Sequence, residues 1–278
     1  MDRSDLLTEE ARPVVRRIND LIEEVYSRGL HMTSWYGTLP NFTESETEKG
    51  VGIANRGSDY TPLPDMADDS RLPWYLYWEI FWVMQHGQQV KSGDRVLDAG
   101  GTSSLFSCYL ASLGIEVHSI DLNERIIANG NALAKAMNWN MHSYLMNMGH
   151  LDFPDSFFDH AYSICVFEHL DHKTKMSSLE EIARCLKPGG VLSITFDYRN
   201  PAPNVYGYGP DIREENQLKT KDDIKRAFLS TEHFELLRNQ EFHDNGQSYL
   251  VHPKFGNFPY TFGAIFLRKK GLPMTTGK

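Results

Sequence analysis

The run from Asp94 to Phe106 (Asp-Arg-Val-Leu-Asp-Ala-Gly-Gly-Thr-Ser-Ser-Leu-Phe) constrains the fold of this chain more than any other stretch. A short apolar strand, Arg95 to Leu97, leads into an acid, Asp98, and then two glycines, Gly100 and Gly101. Beyond them Leu105, Phe106, Tyr109, Leu110 and Leu113 recur at helical spacing. Strand, glycine turn and helix in this order form the first βα unit of a nucleotide-binding α/β sheet. A second strand, Ile115 to Ile120, ends in Asp121, 23 positions past Asp98. That spacing lets a carboxylate at the second strand's tip reach a ribose held above the first turn.

The pattern downstream is regular. A helix is expected from about Glu124 to Met137 with Asn123 as its cap, then strands near His142–Met146 and Asp159–Val166. The next helix, from about Thr174 to Leu186, is stopped by Lys187-Pro188-Gly189-Gly190. Val191–Phe196 reads as a buried strand, followed by a helix over Lys221–Leu229 and last strands at Phe234–Leu237 and Tyr260–Leu267. Alternation of this kind predicts an α/β, doubly wound, mainly parallel seven-stranded Rossmann-like sheet over residues 91–270.

Residues 1–90 form an N-terminal helical and irregular extension. Val14, Val15, Ile18, Leu21, Ile22 and Val25 mark an amphipathic helix. From Gly29 to Arg71 there is little periodicity, and Trp35, Tyr36, Arg56 and Tyr60 suit a lid that orders on a ligand. A helix over 73–85 carries aromatics at 74, 77, 78, 81 and 82, a stripe expected to pack on the sheet. Tyr198 to Gln217 reads as an insertion loop that builds an acceptor cleft together with the extension. Because regular βα alternation starts near residue 92, the sheet is expected to fold without residues 1–60.

Charge and cysteine content narrow the function. A net charge of −9 argues against nucleic acid or an anionic membrane as main partner. Cys108, Cys165 and Cys185 form no ligand-spaced cluster and fall in apolar periodic segments, as core cysteines do. With no signal peptide and no bilayer-spanning run, the expected compartment is the cytoplasm. A pyrophosphate site of the GxGxxG type needs three glycines; here Ser104 stands in the third position, which weakens a nicotinamide-dependent oxidoreductase. A smaller nucleoside with an amino-acid tail fits better, its carboxylate on the turn's N–H groups and its ribose on Asp121.

On these stretches the chain resembles the class I S-adenosylmethionine-dependent methyltransferases, particularly the small-molecule type 11 branch. Val96-Leu-Asp-Ala-Gly-Gly matches the first motif, and Asp121-Leu122 the second strand's tip. Asn147-Met148 stands where the family places an acid or amide and an apolar residue against adenine. Asp152–Asp159 with Val166-Phe-Glu-His-Leu170, and Leu186-Lys-Pro-Gly-Gly-Val-Leu192, resemble its later motifs. The resemblance covers about residues 92–197 and implies S-adenosyl-L-methionine as cofactor. It implies a cofactor set of Asp98, Gly100, Gly101, Thr102, Ser103, Asp121, Leu122, Asn147, Met148 and Val166. The family usually has glycine where Thr102 and Ser104 stand, so the loop should follow a different backbone path. Gly100→Val is expected to abolish cofactor binding, and Gly101→Ala to be milder.

The implied activity is direct methyl transfer to a small-molecule or sugar-like acceptor. His169 and Glu168, at the mouth of the fourth strand, are the candidate catalytic pair. Glu168, His169 and His172 have metal-like composition, but without matched partners elsewhere no metal is expected. A nucleoside-binding sensor without catalysis fits Asp98 and Asp121 equally well, and a turnover assay separates the two.

Overall fold

The computed structural model describes residues 3–34, 37–39, 74–198, 218–239, 241–244, 250–251 and 259–271. The lid expected over 29–71, apart from its first residues and a short strand, lies outside them, as does the 199–217 loop.

The central sheet has the strand order β5-β4-β3-β6-β7-β10-β8. These strands are β3 (Arg95–Ala99), β4 (Glu116–Asp121), β5 (Met141–Leu145), β6 (Phe158–Ile164), β7 (Leu186–Tyr198), β8 (Phe234–Leu236) and β10 (Pro259–Lys269). Strands β3 to β7 pair in parallel, whereas β10 runs antiparallel to both β7 and β8. The expected seven-stranded, mainly parallel sheet is therefore present. Two small additions escaped the sequence reading. One is a hairpin of β1 (Met32–Ser34) and β2 (Gly37–Leu39); the other is β9 (Leu250–Val251), which pairs with β10.

Helices cover both faces. α1 (Arg12–Ser27), α2 (Trp74–His86), α3 (Leu105–Ser112) and α4 (Glu124–Met137) contribute to one apolar core; α5 (His172–Cys185) and α6 (Lys221–Phe228) contribute to the other. The caps follow local chemistry. Asn123 accepts from Arg125 N at 3.0 Å, Asp171 from Thr174 N at 2.7 Å, and Thr220 with Asp223 closes a capping box. Ser104, in the third-glycine position, caps α3 by accepting from Ser107 N. β7 begins directly at Leu186, so Lys187-Pro188-Gly189-Gly190 lies within the strand rather than before it; Gly189 takes φ +79° there.

The N-terminal extension is continuous with this core. Val15, Ile18, Leu21, Ile22 and Val25 are buried in the same cluster as Phe106, Tyr109 and Leu110 of α3. The expectation that the sheet stands without residues 1–60 therefore gives way, since removing α1 would expose apolar surface on α3. Helix α2 is buried nearly all round rather than along one stripe: Tyr75, Tyr77, Trp78, Ile80, Phe81 and Val83 are all in the core. Tyr75 stacks on Phe262 of β10, and Trp78 Nε1 donates to Asp5 Oδ2 at 2.8 Å. No helix among the described residues is long and apolar enough to cross a membrane.

Candidate active site

Parallel strands place their carboxyl ends along one edge, and the site assembles there. Asp98 is the penultimate residue of β3 and Asp121 the last of the adjacent β4, with Ala99 paired to Ile120 and Gly100 N donating to Ile120 O at 2.9 Å. Asp98 is fully buried. Its Oδ2 accepts from Ser107 Oγ at 2.6 Å, and its Oδ1 has no partner among the described residues. Burial, opposed by the Ser107 bond and reinforced by the charge of Asp121, raises the Asp98 carboxyl to about 7. Asp121 is raised too, mainly by burial, although Asn123 N donates to its Oδ1 at 2.9 Å.

The turn explains its own glycines. Gly100 has φ +87°, and a Cβ there would lie 2.8 Å from both methyls of Val166. At Gly101 a Cβ would lie 2.2 Å from Asp98 Oδ2. This reverses the expected mildness of Gly101→Ala, because the obstacle is a buried, hydrogen-bonded carboxylate. The altered backbone path falls at Ser103, which takes φ +54°, while Thr102 avoids the left-handed region. Thr102 is buried with its Oγ1 unpartnered among the described residues. Ser103 faces the N-terminal hairpin instead: its hydroxyl meets Thr33 Oγ1 at 2.5 Å and Asn129 Nδ2 at 3.3 Å. Thr33 N also donates to Ser103 O at 2.8 Å, tying β1 to the glycine loop.

At the tips of β4 and β5, Leu122 is 71% exposed. Asn147 is exposed, with its Oδ1 accepting from Gly149 N at 2.8 Å, and Met148 is buried beside it. An orphaned carboxylate oxygen, an orphaned hydroxyl and two glycines that admit no side chain fit a nucleoside with an amino-acid tail.

The other half of the edge gathers more acid than the sequence suggested. Glu168, in the short 3₁₀ turn Phe167–His169, is buried. Its Oε1 accepts from Asp197 N at 3.1 Å and its Oε2 has no partner among the described residues. Burial raises Glu168 to about 7. His169 Nε2 stands 4.0 Å from Glu168 Oε1, and burial lowers its basicity. His172 opens α5 on the exposed surface. The group with metal-like spacing is a different one: Cys165, Glu168 and Asp197 each bring a ligand atom within 4.8 Å of the others.

Sequence reasoning missed Glu79. From the middle of α2 its Oε1 accepts from Cys165 Sγ at 2.7 Å and from Thr195 Oγ1 at 2.8 Å. Burial raises it to about 8; the Cys165 and Thr195 bonds pull the other way, and Glu168 and Asp197 push with burial. The signal was available, since Glu79 is the one charged residue in the run Trp74–Gln85. Cys165, which holds it, takes φ +52°, and its N–H donates to Thr195 O at 3.1 Å.

Residues 97–194 match the family model described as a methyltransferase domain. Over 159 residues the chain is 29% identical to a ubiquinone/menaquinone biosynthesis C-methyltransferase of Chromobacterium violaceum, and 32% identical to the corresponding protein of Burkholderia mallei. These alignments take in 55% of this chain and 62% and 63% of the relatives, so the chain covers less than two thirds of their length. Among solved structures it resembles the [4+2]-cyclase SpnF, with a TM-score of 0.54 at 17% identity over 73% of this chain and 85% of that one. It also resembles phosphoethanolamine N-methyltransferase 2 of Haemonchus contortus, solved with S-adenosylhomocysteine. There the TM-score is 0.51 at 16% identity over 69% and 52%. Sheet order, glycine turn and the matched segment, 97–194, make this part of the chain similar to the class I S-adenosylmethionine-dependent methyltransferases. S-adenosyl-L-methionine is the cofactor of that family's domain.

Proposed function

We propose that this chain transfers a methyl group from S-adenosylmethionine directly to a small-molecule or sugar-like acceptor, in the cytoplasm, without nucleic acid or membrane as partner. The observation that carries the reading is the pair of carboxylates, Asp98 and Asp121, at adjacent strand tips on either side of a turn that admits no side chains. When bound, the cofactor supplies a methyl carbon made electrophilic by its sulfonium. The chain has to hold that cofactor and align the acceptor.

Asp121 suits the ribose hydroxyls, because a carboxylate accepts both. Asp98 Oδ1 and the N–H of Gly101 suit the two charged ends of the amino-acid tail, the Gly100 N–H being held by Ile120 O. Thr102 Oγ1 is a further unfilled position beside them, whereas Ser103 acts by fixing the loop against Thr33. Leu122 and Met148 offer apolar surface to the adenine, and Asn147 a polar edge; Val166 walls the turn. Glu168 and His169 stand on the acceptor side, where a base is needed only if the accepting atom must lose a proton.

Two measurements test the proposal. Calorimetry should detect S-adenosylhomocysteine and no comparable binding of NAD. Incubation with S-adenosylmethionine and a metabolite mixture should release S-adenosylhomocysteine. Tight binding without any release would favour a sensor and contradict the enzymatic reading.

A further inference from the structure

We propose that Glu79, Cys165, Glu168 and Asp197 form the acceptor subsite, and that it is built for an amine. The inference rests on the methyltransferase reading and names the acceptor class that reading leaves open. The pocket draws on four separate parts of the chain: the middle of α2, the residue after β6, the 3₁₀ turn, and the end of β7. It abuts the cofactor turn, because Val166, the neighbour of Cys165, is the residue a Cβ on Gly100 would strike. Cys165 and Asp197 are partly exposed residues, while Glu79 and Glu168 are buried, 2% and 5% exposed.

Donor and acceptor counting selects the ligand. The donors Cys165 Sγ–H and Thr195 Oγ–H are both directed at one oxygen, Glu79 Oε1. The Asp197 N–H is directed at Glu168 Oε1. The acceptor left over is Glu168 Oε2, which is buried without a partner among the described residues. A buried carboxylate oxygen in that state calls for a ligand that brings N–H or O–H groups. Three carboxyl groups in one cluster oppose one another's ionisation and disfavour anionic ligands, and Lys175, whose charge acts on Glu168 from α5, offsets only part of this. A cationic nitrogen satisfies both demands.

The chemistry is self-consistent. An acceptor entering as R–NH3+ gives one proton to the Glu168 carboxylate and becomes R–NH2; the raised basicity of Glu168 suits that transfer near neutral pH. The nitrogen lone pair then forms the N–C bond to the methyl while the C–S bond breaks and its electron pair stays on sulfur. The product leaves as R–NH2CH3+, with the transferred proton still on the carboxylate until solvent removes it.

The test uses the full chain saturated with S-adenosylhomocysteine and three probes of one skeleton: benzylamine, benzyl alcohol and benzoate. Calorimetry should show benzylamine binding at least about tenfold more tightly than benzoate. Glu79→Gln and Glu168→Gln should each weaken benzylamine about tenfold or more, the equivalent of one charge-assisted hydrogen bond, and leave S-adenosylhomocysteine affinity unchanged. Unchanged cofactor-product affinity also shows that each variant folds. Benzylamine binding no tighter than benzoate, with S-adenosylhomocysteine still bound, would overturn the amine subsite alone. Loss of S-adenosylhomocysteine binding by the unmodified chain would overturn the methyltransferase reading and the subsite with it. Stoichiometric Zn2+ binding that Cys165→Ser abolishes would also overturn the amine assignment, by making the pocket a metal centre.

Discussion

The two halves of the sheet's carboxyl edge are built in opposite ways. The proposed cofactor half, at the tips of β3 and β4, has its glycine turn and both carboxylates in one stretch, Asp98 to Asp121, fixed by local geometry, and adds Asn147, Met148 and Val166 from beyond β5 and β6. The acceptor half, at the tips of β6 and β7, is closed by a glutamate reaching in from α2, 86 residues before Cys165 and 116 before Thr195. The first is a module that a short sequence encodes. The second exists only after the extension has packed on the sheet.

The sharpest way to break this contrast is at Gly101. A methyl there meets the Asp98 carboxylate, so Gly101→Ala should abolish S-adenosylhomocysteine binding as completely as Gly100→Val does. Calorimetry on both variants checks it; retention of affinity in Gly101→Ala would mean that the loop is not held as described. Next in size is the extension. Ile18→Ala or Leu21→Ala, each at a fully buried position against the common core, should cost about 2–5 kcal/mol in chemical denaturation. Losses below ~0.5 kcal/mol would show α1 to be dispensable and the sheet self-sufficient.

A third test is pH dependence without ligand. Glu79 is raised by burial from 4.5 to about 8, with Cys165, Thr195, Glu168 and Asp197 facing it. The folded state thus keeps a proton that the unfolded state releases above 4.5. Stability must fall as pH rises from about 4.5 to about 8 and level off above, by at most about 1.4 kcal/mol per pH unit from this group. Asp98 and Glu168, each raised to about 7, contribute falls of the same sign, so Glu79→Gln should lessen the slope most clearly between about pH 7 and 8; an unchanged slope there would place the titration elsewhere. The smallest effect is expected at Thr33→Val. It removes the hydroxyl contact to Ser103 but keeps the backbone bond, and should weaken S-adenosylhomocysteine binding by about 1 kcal/mol.

The sequence was legible where physics is local. Short apolar runs bounded by turn residues located all seven main strands, and the acids at 98 and 121 stood near strand tips because a βα unit places them there. Asn123 was read as a cap from its position alone. Hairpin β1–β2 was missed because three-residue strands carry no periodicity, and β1 gains its partner, the Ser103 backbone, only in the folded chain. Gly101 was undervalued because its constraint is a through-space contact with Asp98, not a positive φ. Glu79 looked like an interruption in an aromatic helix until Cys165 and Thr195 were brought to it.

The central claim, that the two halves of the edge serve two ligands, is tested most directly by S-adenosylhomocysteine calorimetry on Asp121→Ala and Glu79→Gln side by side. Asp121→Ala should weaken binding by about 1.5–3 kcal/mol, as expected for loss of hydrogen bonds to a charged group. Glu79→Gln should leave it unchanged. Equal losses in the two variants, or a loss in Glu79→Gln alone, would contradict the division.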